Sequence, residues 1–176
     1  MIIKPPAMAH PFLIAALPNT GPDDPYGCVM NVVSWMAGDT DITAEPDCVN
    51  HHLINICQTF NDELLERFGT PEREYPELVR LVGAATPQQA IRILEIAALV
   101  KDTRAVTKGE SREWLVRTVA RVHPGSITGG YGMARHIAQE SDTFDEAVDR
   151  FLDIIHDFRS TFAEKLGINH LEETRV

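Results

Sequence analysis

The sequence predicts an all-α fold, a bundle of six to seven helices preceded by a proline-rich extended arm. Three observations predict it. Apolar residues recur at steps of three and four along most of the chain after residue 27. Thr-x-x-Gln/Glu capping signatures stand before three of those stripes, at Thr86/Gln89, Thr107/Glu110 and Thr143/Glu146. Six of the eleven prolines, Pro5, Pro6, Pro11, Pro18, Pro22 and Pro25, fall in the first 25 residues, a density that excludes helix and favours extended chain.

These observations divide the chain into an arm over 1–25, a helical core over 26–122, a glycine-rich connection over 123–132, and C-terminal amphipathic helices over 133–176 that pack on the core. In the arm, Phe12, Leu13, Ile14 and Leu17 are the apolar residues available to lie on the helical body or on a neighbouring subunit. Cys28, Val29, Val32, Val33, Met36 and Ala37 make a short buried helix that Gly38 and Asp39 stop. A polar turn over Asp39 to Pro46 follows, with Pro46 suited to the first turn of the next helix. Val49, Leu53, Ile56, Cys57, Phe60, Leu64 and Phe68 then form one apolar face, ended by Gly69.

Further helices are expected over Glu77 to Val82, from Thr86 to Val100, and from Thr107 to Val122. His123 to Gly132 reads as an irregular linker, with a helix beginning near Met133. It lacks the Lys-Ser/Thr ending of a P-loop, and no strand leads into it. The last helix runs from Thr143 to Gly167. Its stripe of Phe144, Val148, Phe151, Ile155, Phe158 and Phe162 needs a partner, either the core or a second copy in a homodimer seam. Asp145, Asp149, Asp153 and Asp157 lie opposite at successive steps of four, where mutual repulsion favours a solvated face over a metal site.

The 176 residues are 44% hydrophobic, enough to bury one full core. No apolar run approaches the ~20 residues that span a bilayer. The segment Phe12 to Leu17 is too short and too closely bounded by Pro11 and Pro18 for a signal peptide, so a cytoplasmic location is expected. Three scattered cysteines do not make a disulfide framework. The formal net charge of −10 disfavours nonspecific binding to nucleic acid or anionic lipid and suits a basic protein partner. Acid is concentrated early: residues 1–88 carry 4 basic and 12 acidic side chains, and residues 89–176 carry 12 and 14.

One group of residues carries potential chemistry. Cys48 and His52 are four apart, and on a common helix they would project from the same side, within reach of Cys28. Cys28, Cys48 and His52 are therefore the candidate metal ligands, although zinc motifs show tighter paired spacing. The competing reading makes Cys28 and Cys57 small buried hydrophobes and the His51-His52 pair a helix-flank feature. Cys48 near a helix N-terminus also allows a reactive thiol.

The run Gly27-Cys28-Val29-Met30, with Val33-Ser34-Trp35-Met36-Ala37-Gly38-Asp39, Pro46-Asp47-Cys48-Val49, Phe60-Asn61-Asp62 and Leu78-Val79-Arg80-Leu81-Val82-Gly83, resembles a family of uncharacterised proteins from actinobacteria and their phages. The resemblance covers about half the chain. Family members carry a Glu after the Met, where this chain has Asn31, and Asp-His-Pro before the second Cys, where it has Ala44-Glu45-Pro46. The resemblance implies a phage or actinobacterial origin and no particular activity.

With no recognisable catalytic set, the expected function is a non-enzymatic protein-interaction module. It acts by self-assembly, as in a homodimer, or by binding a host or phage protein, with no cofactor, nucleic acid or membrane. The alternative is a small metal- or thiol-dependent enzyme centred on Cys28, Cys48 and His52.

Overall fold

The computed structural model describes residues 13–16, 24, 26–75 and 80–168, with the backbone alone at 72–75 and 80–82. It is mostly helical. The elements are β1 (Leu13–Ile14), β2 (Tyr26–Gly27), α1 (Val29–Met36), α2 (His51–Phe68), β3 (Thr70–Tyr75), β4 (Arg80–Ala84), α3 (Pro87–Val100), α4 (Lys108–Val122), α5 (Gly129–Glu140), α6 (Phe144–Thr161) and α7 (Ala163–Leu166). Among the described residues no helix is long and apolar enough to cross a membrane.

The helix α2 is central, and α1, α4, α5 and α6 all pack on it. Its predicted stripe is inside: Leu53, Ile56, Cys57, Phe60 and Leu64 are buried, and Phe60 stacks on Phe151 of α6 with ring centroids 4.0 Å apart. Its start differs from the expected one. Pro46 lies in the preceding loop, and Asn50 caps the helix by accepting from the backbone N–H groups of His52 and Leu53. Asn50 wins because its own amide donates to the carbonyl of Val106 at 3.0 Å and its backbone N–H donates to Thr103 Oγ1 at 2.9 Å. The cap is thereby tied to the α3–α4 loop, an arrangement Pro46 has no groups to make.

The capping boxes at Thr86/Gln89 and Thr107/Glu110 form in both directions, as the spacing predicts. At Thr143 the box is half formed. Its hydroxyl accepts from the Glu146 N–H, while the Glu146 carboxylate accepts from the N–H of Asp142. The expected single C-terminal helix breaks at Phe162 into α6 and the short α7, which Gly167 ends with φ of 67°.

The residues expected to form a helix over Glu77 to Val82 are a correction. Arg80–Ala84 is a strand paired antiparallel with Thr70–Tyr75, and residues 76–79 lie outside the described ones. The reason is tertiary. A Cβ on Gly83 would sit 1.9 Å from the Leu65 carbonyl oxygen, so this backbone lies directly against α2. The strand also meets the N-terminal segment: Ala16 N–H donates to the Gly83 carbonyl, and Ala85 N–H donates to that of Ile14. On its other side β1 pairs in parallel with β2. Leu13 to Ala16 are thus buried against the chain's own body. The rest of the proline-rich arm, Asp24 apart, lies outside the described residues.

The glycine-rich connection is a second correction. Only residues 123–128 are irregular, and α5 begins at Gly129. A Cβ on Gly130 would meet Ile56 Cγ2 at 2.8 Å and the Leu115 methyls at 3.3 Å. Glycine here permits close approach of α5 to α2 and α4, and α5 belongs to the common core.

Candidate functional site

The predicted sulfur and imidazole residues are dispersed. Cys28 caps α1, is buried, and donates its backbone N–H to Asn31 Oδ1 at 2.9 Å. Burial pushes its thiol up to about 12, which suppresses thiolate chemistry at neutral pH. Cys57 is buried as well, and its thiol is raised first by burial and then by Cys28. Cys48 is half-buried in the loop before α2, where its carbonyl accepts from the N–H groups of Thr103 and Arg104. Because α2 begins only at His51, Cys48 and His52 do not share a helical face, and the geometric argument that joined them fails. Among the described residues no group of three or more His, Cys, Asp and Glu side chains is arranged to hold a metal ion.

His52 has a different partner. Its Nδ1 lies 2.7 Å from Ser111 Oγ on α4, and that hydroxyl donates to the Lys108 carbonyl at 3.1 Å. In this pair Ser111 is wholly buried and His52 half-buried. The pair joins the starts of α2 and α4. The His52 pKa is lowered by burial first, then by His51, Lys108 and Arg112.

The stripe of α6 is also committed internally. Val148, Phe151, Ile155 and Phe158 are fully buried in the chain's own core. Phe144 meets Phe68 edge to face, and Phe162 packs on Phe158. The surface assigned to a homodimer seam is thus covered by the other helices of the same chain. The acidic side of α6 is solvated as expected, with Asp145, Asp149, Asp153 and Asp157 all exposed; Asp145 and Asp149 also pair with Arg92 of α3, and Asp157 accepts from the indole N–H of Trp114 at 2.8 Å.

A cleft of about 460 Å³ lies between α2 and the start of α5. Thr59, Asp62, Glu63 and Glu66, at helical steps of three and four, form one wall, and Thr128, Tyr131, Gly132 and Arg135 form the other. Glu63 is engaged, accepting from Arg135 Nε at 2.9 Å and Gln139 Nε2 at 3.0 Å, which joins the two walls. The lining carries the carboxylates of Asp62, Glu63 and Glu66, each with interactions of its own, and the Arg135 guanidinium. In the second wall Tyr131 is 56% exposed, and Ile127, next to Thr128 in the chain, is 99% exposed. Taking 123–132 as a linker hides this site; the signal for it is an acidic i, i+1, i+4 set on α2 combined with glycines that let α5 come close.

The exposed side of α4 carries several basic residues together with the exposed Glu113. Lys108, Arg112, Arg117 and Arg121 are exposed, with Arg104 just before the helix. None of the five has an ion-pair partner among the described residues. Val116, between Arg112 and Arg117, is 63% exposed.

No protein-family model, curated protein or solved structure matches this chain.

Proposed function

We propose that the protein is a non-enzymatic protein-interaction module whose docking site is the cleft between α2 and α5, and that its partner presents a basic side chain beside an apolar one. The observation that carries this reading is a cleft whose lining holds Asp62, Glu63 and Glu66 together with Tyr131, a large side chain 56% exposed. Carboxylates select a cation and steer its approach. An exposed aromatic supplies the desolvated contact area that gives such a contact its lifetime. The net charge of −10 supports the same choice of partner. The resemblance to actinobacterial and phage proteins directs the search for that partner to a host or phage protein.

Fluorescence anisotropy with labelled peptides tests the proposal. A peptide carrying Arg and Leu binds, and its Glu-for-Arg analogue does not. The double substitution Asp62→Asn with Glu66→Gln weakens binding about tenfold, and salt weakens it further. Equal binding of both peptides, or binding indifferent to that substitution, overturns the reading. Glu63 is left intact because it joins α5 to α2.

A further inference from the structure

The corner between α4 and α5 carries a histidine from each side. His123 is the C-cap of α4, its N–H donating to the Val119 carbonyl at 2.8 Å, and His136 stands half-buried on α5. Their rings stack with centroids 4.1 Å apart and planes 22° from parallel. A neutral pair gains from that contact, and a pair with one proton keeps a neutral ring against the cation. A second proton sets two cations face to face with little water between them, and the contact becomes repulsive. The groups around the stack do not relieve that repulsion. Arg150 of α6 adds a like charge and is held there by donating to Ser141 Oγ at 2.9 Å. On α4 the exposed Arg121 stands two positions before His123. From α2, Glu63 is engaged by Arg135 and Gln139, and Arg67 donates to the carbonyls of Ala138, Gln139 and Ser141. Glu140, one turn along α5, acts in the opposite sense but is exposed.

The stack holds the short segment between the two helices. The Ser126 hydroxyl donates to the Gly129 carbonyl at 3.3 Å. Ser126 Oγ and Thr128 Oγ1 lie so near Gly132 that a Cβ there would meet them at 2.5 and 2.2 Å. Gly125 and Gly129 have φ of 82° and 59°, so the segment turns at two residues that adopt such angles without strain. Thr128 and Gly132 also line the cleft between α2 and α5. We propose that the His123–His136 stack is a proton-operated latch: with at least one ring neutral it holds residues 123–128 on α5, and with both rings protonated it releases them and the Thr128 side of the cleft. The latch stands on the stack alone, while its effect on binding rests on the interaction reading of the cleft. The closed corner lowers the His136 pKa, through burial first and then through His123 and Arg150. Protons therefore favour the released form as the pH falls below the ordinary value of 6.5.

An NMR titration of the full chain from about pH 7.5 downward is the test. The His136 ring titrates below 6.5, and the heteronuclear NOEs of Ser126, Ile127 and Thr128 fall by about half or more in step with it. A through-space shift of nearby signals would leave those NOEs unchanged. His123→Gln removes the opposing charge, so the His136 midpoint rises toward 6.5 and the mobility of the segment no longer follows it. His136→Gln abolishes the pH dependence of the segment altogether. Helical circular dichroism at neutral pH verifies the fold of both variants, and either one alone tests the latch.

A segment that stays rigid while His136 titrates overturns the proposal, as does a His136 midpoint indifferent to His123→Gln. So does a His136 ring that stays neutral until the whole chain unfolds. Anisotropy with the Arg-Leu peptide then separates the latch from the interaction reading. Binding that weakens about threefold or more between about pH 7.5 and pH 5.5 in the parent, and not in His136→Gln, extends the latch to the cleft. Binding that ignores pH while the segment is released overturns that regulation. A segment that is released beside a cleft that takes no peptide at any pH leaves the latch standing and removes the interaction reading.

Discussion

The side-chain amide of Asn61 donates to the carbonyl of Ala15 at 2.8 Å, joining two residues 46 positions apart. Its Oδ1 accepts from the N–H of Val29 at 3.2 Å. One buried amide on α2 thus holds both the N-terminal segment and the first turn of α1. Replacing it strands a buried acceptor and a buried donor together, and each such group costs about 1–3 kcal/mol. Asn61→Ala is therefore expected to lower the stability by about 2–4 kcal/mol. Urea unfolding measures the loss, and hydrogen exchange at Ala15 and Ala16, whose N–H groups pair with Gly27 and Gly83, reports whether the segment comes loose first. Unchanged exchange there would assign the amide a purely local role.

Two glycines separate packing from propensity. At Gly83 a Cβ would meet the Leu65 carbonyl oxygen at 1.9 Å, and backbone cannot step aside as a side-chain end can. Gly83→Ala is expected to cost about 3 kcal/mol through displacement of β4. At Gly109, in α4, nothing lies within 4 Å of the added carbon. Gly109→Ala removes backbone freedom from the unfolded chain and is expected to stabilise by up to about 1 kcal/mol. Thermal unfolding of the two variants beside the parent should move in opposite directions.

The same contrast explains what could be read from the residues alone. Signals complete within a few residues were legible: the boxes at Thr86/Gln89 and Thr107/Glu110, and the stripes of α2 and α6. Features determined by distant partners were not. The strand β4 exists because Gly83 must lie against Leu65, and α2 is capped at Asn50 because Thr103 and Val106 hold that cap in place. The cleft escaped for a related reason. Gly130 looks like flexible chain until Ile56 and Leu115 show that it admits a helix at close range.

Acid should destabilise the fold in two separate windows. His123 and His136 stack with ring centroids 4.1 Å apart. The His136 pKa is lowered by burial, then by His123 and Arg150, with Glu140 acting the other way. Below the ordinary value of 6.5 the unfolded chain therefore binds more protons than the folded one, and stability falls as pH decreases; His52 acts in the same sense. Glu110 belongs to a lower window. The Lys165 ammonium, followed by Thr107, holds its carboxyl down to about 2 from 4.5, so its contribution is present above 4.5 and is lost as pH falls from there toward 2. Urea midpoints across pH give the measurement. His136→Gln should flatten the slope between about pH 7 and pH 5, and Glu110→Gln the slope below about pH 4.5.

The four aspartates of α6 look equivalent in the sequence and differ in the fold. Asp157 accepts from the indole N–H of Trp114, a side chain 2% exposed and packed edge to face on Phe158 at 4.9 Å. Without that acceptor the Trp114 N–H loses its protein partner, and a hydrogen bond to a charged group contributes about 1.5–3 kcal/mol. The exposed position of Asp157 lets water replace part of that bond, so Asp157→Ala is expected to cost about 1–2 kcal/mol. Asp153 is exposed, one turn from both Asp149 and Asp157. Removing its charge relieves like-charge repulsion at i, i+4, and Asp153→Ala is expected to be neutral or to stabilise by a few tenths of a kcal/mol, about 0.2–0.5. Tryptophan fluorescence followed through urea unfolding reads both effects. A shifted native emission maximum is expected for the Asp157 variant alone, because only that aspartate meets the ring. Equal losses in the two variants would mean that α6 senses total charge and that the Trp114 contact contributes nothing of its own.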